Sequence, residues 1–260
     1  YRDIPKGDDI FTRTPYITRR LLDELGGLDK KQKNIMITGS KGKGSLAVIL
    51  AKILEGHGLK AGLFTSPHLR DYRERIRING QGIGEDELIA LGNKIKPLYD
   101  KIEEELPPHK YIGPVGATAA MAISYFYKKN TDVNVIECGR GARFDDVNQI
   151  KGYIGGINKI FLDHEGPLGY SVDDVAYHKA GLIKPWMEGI YSAQQTKYPD
   201  LILRYEARKF EIPLYLYNRD FYSYDISLGK DGTHFSVKTA NGDYKDLILS
   251  LLGKHQSENA

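Results

Sequence analysis

Short apolar runs alternate with amphipathic segments along most of the chain. Residues 35–38 are apolar and largely β-branched, residues 39–45 are rich in glycine, and residues 46–55 place apolar side chains at helical spacing. This succession predicts a buried strand, a tight loop and a helix. The same periodicity predicts further helices over residues 16–25, 85–105, 116–128, 171–180 and 200–209, and Gly26 and Gly181 mark the ends of two of them.

Four further apolar runs are typical of strands: residues 60–65, 132–137, 159–164 and 189–194. Because strands alternate with helices, the sequence predicts an α/β fold of the P-loop type, with a largely parallel sheet flanked by helices. From residue 213 onward the pattern changes to alternating Tyr, Leu, Ser, Phe and Val, with turn signals at residues 229–232 and 241–242. That part predicts a small antiparallel β meander near the C-terminus.

The chain contains no internal repeat, low-complexity tract or long linker. We therefore predict one domain over residues 1–260, with an N-terminal arm and helix over residues 1–33 and a β appendage over residues 213–250. The last ten residues read as the start of a new element that is cut off.

Composition excludes several classes of protein. The 37 basic and 34 acidic residues give a net charge of +3 without a basic stripe, so nucleic acid is not an expected partner. The single cysteine, Cys138, excludes an intrachain disulfide. Since the sequence has neither a signal peptide nor a long apolar run, we expect no membrane partner and a cytoplasmic location.

The glycine-rich segment of residues 39–45 has the composition of a phosphate-binding loop. Its glycines let the backbone approach an anion, and the N–H groups that open the following helix point at the same place. Lys43 supplies a positive charge and Ser45 a hydroxyl. The spacing Gly-x-x-Gly-Lys-Gly-Ser departs from the general Walker pattern. An ordinary strand-to-helix turn with solvated lysines is the alternative.

Polar side chains follow the predicted strands at the positions where these strands end. In a parallel sheet, ligands bind outside the carboxyl ends of the strands. The sequence therefore predicts that one edge of the sheet gathers Thr38, Thr65, Glu137, Asp163 and His164.

Several ordered motifs together resemble folylpolyglutamate synthase, a family of the Mur ligase superfamily. Their shared order along nearly the whole chain is more specific than any single motif. The motifs are residues 39–45, residues 66–69 with 74–80, residues 137–139, residues 162–164 with 168–169, residues 179–185 and residues 253–260.

The resemblance implies an ATP-dependent ligase of one-carbon metabolism that forms an amide. Such an enzyme activates a carboxylate as an acyl phosphate, which the amine of an amino acid such as glutamate then attacks. The implied cofactors are ATP and Mg²⁺, and the implied partners are a small-molecule carboxylate and an amino acid. The implied catalytic residues are Lys43, His164 and Lys179; the nucleotide-binding residues are Gly39, Ser40, Lys41, Gly42, Lys43, Gly44, Ser45 and Asn259; and the metal ligands are Ser45, Glu137, His164 and Lys179.

Lys179 matches the lysine that carries a carbamate in this superfamily. A lysine reacts with CO₂ only when it is deprotonated, so this role requires a lowered pKa. The alternative is a helix lysine near a C-terminus, where it interacts favourably with the helix dipole.

The chain also departs from the family pattern. Val115-Gly116 replaces a Phe-Glu pair where the pterin is approached, and the segment that begins at Gly139 differs at several positions. The family also has a C-terminal Rossmann-like domain, which we expect this chain to lack, so that the 260 residues alone bind ATP weakly and do not complete ligation. Two alternatives stay open: a Mur-type ligase for a non-folate carboxylate, and an ATP-binding module without catalysis.

Overall fold

The computed structural model describes residues 7–107 and 110–260, so the first six residues of the predicted arm lie outside the described part. The strands are β1 Asn34–Thr38, β2 Ala61–Phe64, β3 Ile76–Ile78, β4 Gln81–Gly82, β5 Val133–Glu137, β6 Ile154–Ile157, β7 Gly189–Ser192, β8 Leu214–Leu216, β9 Tyr222–Leu228, β10 Thr233–Thr239 and β11 Gly242–Leu249. The α-helices are α1 Asp9–Thr12, α2 Tyr16–Glu24, α3 Lys43–Gly56, α4 Glu85–Glu105, α5 Pro114–Lys129, α6 Val172–Ala180, α7 Lys197–Lys209 and α8 Gln256–Asn259.

The first eight strands form one sheet in the order β4-β3-β2-β5-β1-β6-β7-β8. Strands β2, β5, β1, β6, β7 and β8 are parallel neighbours, whereas β3, near one edge, is antiparallel to both of its neighbours, β2 and β4. Strands β9, β10 and β11 form a separate antiparallel sheet. The predicted fold class is therefore confirmed.

Helices cover both faces of the large sheet. Successive residues of a strand point to opposite sides, so each strand contributes side chains to both faces. Met36 packs on the face that contributes to the main hydrophobic core, together with side chains of α2, α4, α5, α6 and α7. Ile37, the next residue, packs instead with Ala47 and Ala51 of α3 on the other face. Strand β1 is thus fixed from both sides, and the loop after it starts from a rigid support.

The structure confirms the predicted helices, and α4 has the predicted bounds. At the start of α6, Ser171 and Asp174 form the reciprocal hydrogen bonds of a capping box. Among the described residues, none of the helices combines the length and the apolar character that crossing a membrane requires. The division into one domain with an appendage stays a prediction.

The prediction of a strand over residues 159–164 is wrong. The strand lies earlier, at β6, where Gly155 and Gly156 break the apolar pattern. Both glycines are needed for packing, since a Cβ on Gly155 would lie 2.7 Å from Ile190 Cδ1 and one on Gly156 would lie 2.7 Å from Ile37 Cδ1. Residues 159–164 form a loop instead.

The prediction that the antiparallel meander begins at residue 213 is wrong. Residues 214–216 form β8, which pairs in parallel with β7 at the edge of the large sheet. The antiparallel sheet begins only at Tyr222, and its two hairpin turns occupy the predicted positions. The periodicity of apolar residues predicts that a segment is a strand, but it does not predict which sheet the strand joins.

Candidate active site

The loop between β1 and α3 is built as the sequence predicts. Gly39 and Gly42 have φ values of 146° and 76°, which are backbone conformations that favour glycine. Helix α3 begins at Lys43, whose Nζ donates a hydrogen bond of 3.0 Å to the carbonyl oxygen of Gly39. The first N–H groups of α3 and the lysine therefore face the same small space, which suits an anion.

Asn158 explains why the loop needs glycine at these two positions. A Cβ on Gly39 would lie 2.7 Å from Asn158 Cβ, and one on Gly42 would lie 2.5 Å from Asn158 Nδ2. Asn158 follows β6 directly and is buried. Sequence analysis did not predict these contacts, because Asn158 lies more than 110 positions from Gly39 and Gly42.

Asn158 also connects the loop to the end of the described chain. Its Nδ2 donates a hydrogen bond of 2.7 Å to Oδ1 of Asn259, and Asn259 Nδ2 donates one of 2.9 Å to Gln256. A Cβ on Gly42 would lie 2.9 Å from Asn259 Oδ1. The structure thus places Asn259, a predicted nucleotide contact, against the glycine-rich loop.

Ser40 connects the loop to the irregular segment of residues 159–164. Its Oγ donates a hydrogen bond of 2.8 Å to the carbonyl oxygen of Phe161 and accepts one of 3.1 Å from the Phe161 N–H. The Ser40 N–H donates to Lys159 O at 3.0 Å. Lys41, by contrast, is exposed, and its Nζ lies 5.8 Å from the centre of the Phe161 ring.

Lys179 lies on α6, and its side chain extends to the first residue of the phosphate loop from the protein interior. Its side chain is 1% exposed, and its Nζ donates to Gly39 O at 3.0 Å and to Asp163 Oδ2 at 3.3 Å. Burial lowers the pKa of Lys179 to about 8, although the carboxylate of Asp163 opposes this shift. A substantial fraction of the neutral amine is therefore present just above neutral pH.

Glu137 is the last residue of β5 and lies opposite the first turn of α3. A Cβ on Gly44 would lie 3.7 Å from its carboxylate oxygens, and its Oε2 accepts a hydrogen bond of 3.0 Å from the Ser66 N–H. Burial raises the pKa of Glu137, while the Ser66 N–H and the charge of Lys43 act in the opposite direction. Ser45 is half-buried on the same turn of α3.

His164 is exposed, in contrast to the buried Glu137 and Lys179. It has a φ of 50°, and its backbone carbonyl accepts a hydrogen bond from Leu168 N–H. Partial burial lowers the pKa of His164, an effect that Asp163 opposes and Lys179 reinforces. Its imidazole is accordingly neutral near pH 7, as a metal ligand must be.

A divalent cation fits part of this arrangement. Asp163 Oδ1 is a buried oxygen without a hydrogen-bond partner among the described residues, and the carboxylate of Glu137 faces the loop. Across residues 7–107 and 110–260, however, no three His, Cys, Asp or Glu side chains form a ready-made metal cage. This donor set suits Mg²⁺, which takes few protein carboxylates and completes its shell with water and phosphate oxygens.

A cavity lies beside Val115, and we name it the Arg13 pocket. Its volume is about 120 Å³, and its wall includes Arg13, Lys110, Val115, Arg140, Asp145 and Asp146. Arg13 contacts Asp145 at 3.4 Å, and Arg140 donates to Asp9 at 3.1 Å. Sequence analysis did not single out this charged group, because its members are dispersed between residues 9 and 146.

Gly113, in the wall of the Arg13 pocket, and Gly116, the residue after Val115, both pack closely against their neighbours. A Cβ on Gly113 would lie 2.1 Å from Asp146 Oδ2, and one on Gly116 would lie 2.5 Å from Thr18 Oγ1. A larger side chain at either position would have to displace Asp146 or α2. Gly116, which follows Val115, therefore cannot be replaced by an aromatic or acidic residue without a shift of its neighbours.

Comparison with known proteins connects this geometry to a family. No family model matches the chain. The dihydrofolate synthase/folylpolyglutamate synthase of Bacillus subtilis is 31% identical over 245 residues, which are 93% of this chain and 56% of that protein. The chain is a homologue of the folylpolyglutamate synthases. It spans about half the length of this curated relative.

Solved structures of folylpolyglutamate synthases share the fold. The Mycobacterium tuberculosis enzyme, described as complexed with ADP and AMPPCP, has a TM-score of 0.91 at 27% identity and covers 95% of this chain and 57% of its own. A folylpolyglutamate synthase–AMPPCP–folate complex has a TM-score of 0.88 at 26% identity, with coverage of 99% and 62%. The Mur ligase resemblance predicted from the ordered motifs is thus confirmed.

Proposed function

We propose that this chain is the ATP-binding part of an ATP-dependent ligase that joins a carboxylate to an amino acid. The observation that carries the proposal is the loop of residues 39–45, which opens toward Glu137, Asp163 and Lys179 in a homologue of the folylpolyglutamate synthases. The solved relatives with bound ADP or AMPPCP support the same assignment.

The residues of the chain suit the activation of a carboxylate by phosphoryl transfer. Such a reaction needs little covalent help from the protein and much charge neutralisation and orientation. The N–H groups of the loop and the first turn of α3 hold the phosphates, and Lys43 neutralises charge at the terminal phosphate. Buried beneath the loop, Lys179 donates a hydrogen bond to the carbonyl oxygen of Gly39, which Lys43 also contacts.

We further propose that Mg²⁺ is held by Glu137, Ser45 and His164, with the carbamate of Lys179 for a second ion. When bound, Mg²⁺ would neutralise charge that develops on the phosphate oxygens. Within the described part of the chain, Asp163 Oδ1 has no hydrogen-bond partner, which supports a cation in this region. Nearby, the exposed side of His164 leaves room for a ligand to approach.

A non-folate carboxylate is the second candidate substrate. The Arg13 pocket favours it, since its volume of about 120 Å³ is small and its wall is charged. A pocket for a drug-sized ligand typically has roughly 300–1,000 Å³ and mostly apolar walls. Gly116 has no side chain and packs against Thr18. This residue of the segment that resembles the family's pterin segment therefore contributes little apolar surface.

Two measurements test the proposed function. The first is titration of the chain with ATP and with AMPPCP, with and without Mg²⁺, by calorimetry. The second is ADP release by the complete gene product, with tetrahydrofolate and other carboxylates against a panel of amino acids. ATP binding with amide formation supports the ligase, whereas ATP binding without any ADP release across the panel favours the non-catalytic module.

A further inference from the structure

Residues 159–164 carry Asp163 and His164 but have no sheet to hold them. Strand β6 ends at Ile157, and the segment that follows is irregular. Its position relative to the phosphate loop must therefore come from individual contacts. Ser40 supplies three of them, through its backbone N–H to Lys159 O and through its hydroxyl to both backbone polar groups of Phe161.

The hydrogen bonds of Ser40 restrict what its side chain can do. A serine hydroxyl has one donor hydrogen, and in this structure the hydrogen points to Phe161 O at 2.8 Å. The side chain is 8% exposed. A phosphate oxygen needs a donor, so the hydroxyl cannot contact a phosphate while it keeps this bond. Ser40 therefore differs from its neighbours in the loop, which offer N–H groups or a charge.

We propose that Ser40 is a positioning residue that fixes the distance between the phosphate loop and the Asp163–His164 segment. Its role rests on the proposed function, in which His164 holds Mg²⁺ beside the nucleotide phosphates. A second contact between the same parts, through Lys179 to Gly39 and Asp163, limits how far the segment moves when Ser40 is changed. Ser40 thus sets the alignment of the segment rather than its presence in the site.

Three variants test this inference in the 260-residue chain. Ser40→Ala removes both hydroxyl hydrogen bonds, and Ser40→Thr keeps the hydroxyl. Ser124→Ala is the matched control, because Ser124 is buried in α5 and donates to Ala120 O at 3.0 Å, outside the site.

The first measurement needs no ligand. Amide hydrogen exchange at Phe161 should accelerate about tenfold or more in Ser40→Ala, the effect of losing one to two buried hydrogen bonds, and return toward wild type in Ser40→Thr. Strands β1 and β6 should exchange as before, and Ser124→Ala should leave Phe161 unchanged. Unaltered exchange at Phe161 in Ser40→Ala would overturn the inference.

The second measurement is the gain in AMPPCP affinity that Mg²⁺ produces. This gain should fall about tenfold in Ser40→Ala, because a displaced His164 no longer meets the ion at the phosphates, and it should be kept in Ser40→Thr and Ser124→Ala. A full gain in Ser40→Ala contradicts the inference. If the wild-type chain binds no nucleotide, the proposed function fails, and the exchange measurement alone decides the role of Ser40.

Discussion

The ammonium of Lys179 donates a hydrogen bond of 3.0 Å to the carbonyl oxygen of Gly39, across 140 positions of sequence. Helix α6 thereby supports the phosphate loop from the interior of the protein. The same oxygen also accepts a hydrogen bond of 3.0 Å from Lys43 Nζ, so two lysines converge on the first residue of the loop.

Replacement of Lys43 by alanine should remove the charge at the phosphates. We expect ADP formation by the complete gene product to fall by about 10²–10³, since one preorganised group at a developing charge is lost. Lys52→Ala is the control, because Lys52 lies on the same helix and pairs with Glu55 at the surface. Steady-state kinetics distinguish the two variants; similar rates would remove Lys43 from the phosphate site.

Alanine at Gly42 should destabilise the fold more than alanine at Gly58. Both glycines have positive φ, at 76° and 81°, so each change costs about 1–2 kcal/mol of backbone strain. A Cβ on Gly42 would also meet Asn158 at 2.5 Å and Asn259 at 2.9 Å, whereas one on Gly58 would meet no heavy atom within 4 Å. Urea unfolding measures both variants, and equal losses of stability would mean that the loop tolerates the methyl group.

A carbamate on Lys179 should give a ¹³C signal when the chain is equilibrated with ¹³C-bicarbonate near pH 8. Burial lowers the pKa of Lys179 to about 8, so the reactive neutral amine is well populated there. The signal should disappear in Lys179→Met. It should persist in Lys184→Met, which removes another lysine whose pKa burial lowers. A spectrum without the signal in the wild type would refute the modification.

Asp145→Asn should change how stability depends on pH. Burial raises the pKa of Asp145 from 3.8 to about 7, although Arg13 opposes the shift. Between these values the folded chain binds more protons than the unfolded chain, so this carboxyl lowers stability as the pH rises through that window.

The free energy of unfolding of the Asn variant, relative to wild type, should therefore increase from pH 4 to pH 7, by at most about 4 kcal/mol. Chemical denaturation at several pH values measures it. Asp86→Asn, on the exposed first turn of α4, is the control. A difference that stays constant over this range would contradict the assigned shift.

Folates should be poor substrates of the complete gene product. Val115 and Gly116 supply neither an aromatic ring nor a polar group, and Tyr111 is the aromatic residue in the wall of the Arg13 pocket. The loss of a partner for a buried polar group costs about 1–3 kcal/mol, roughly ten- to two-hundred-fold in affinity. Initial rates with dihydropteroate, tetrahydrofolate and unrelated carboxylates test this. Saturable turnover of either pteridine at micromolar concentration would restore the folate assignment.

The sequence by itself determined the parts of this protein that depend on neighbouring residues. The loop of residues 39–45 needs positive φ and a following helix, and both requirements are visible within ten positions. The bounds of α4 and the capping box at Ser171 are equally local. Hydrogen bonds within a turn and the helical period leave a signal in the sequence because the interacting groups are three or four residues apart.

Only the tertiary structure decided where β6 lies and what holds the site together. Gly155 and Gly156 lack the side chains that mark a strand, and they fit because Ile190 and Ile37 fill the space on either face. The contacts of Ser40 with Phe161, of Asn158 with Asn259 and of Lys179 with Gly39 join segments more than 100 residues apart. Such contacts follow from the order of strands in the sheet, and the periodicity of one segment carries no information about its neighbours in space.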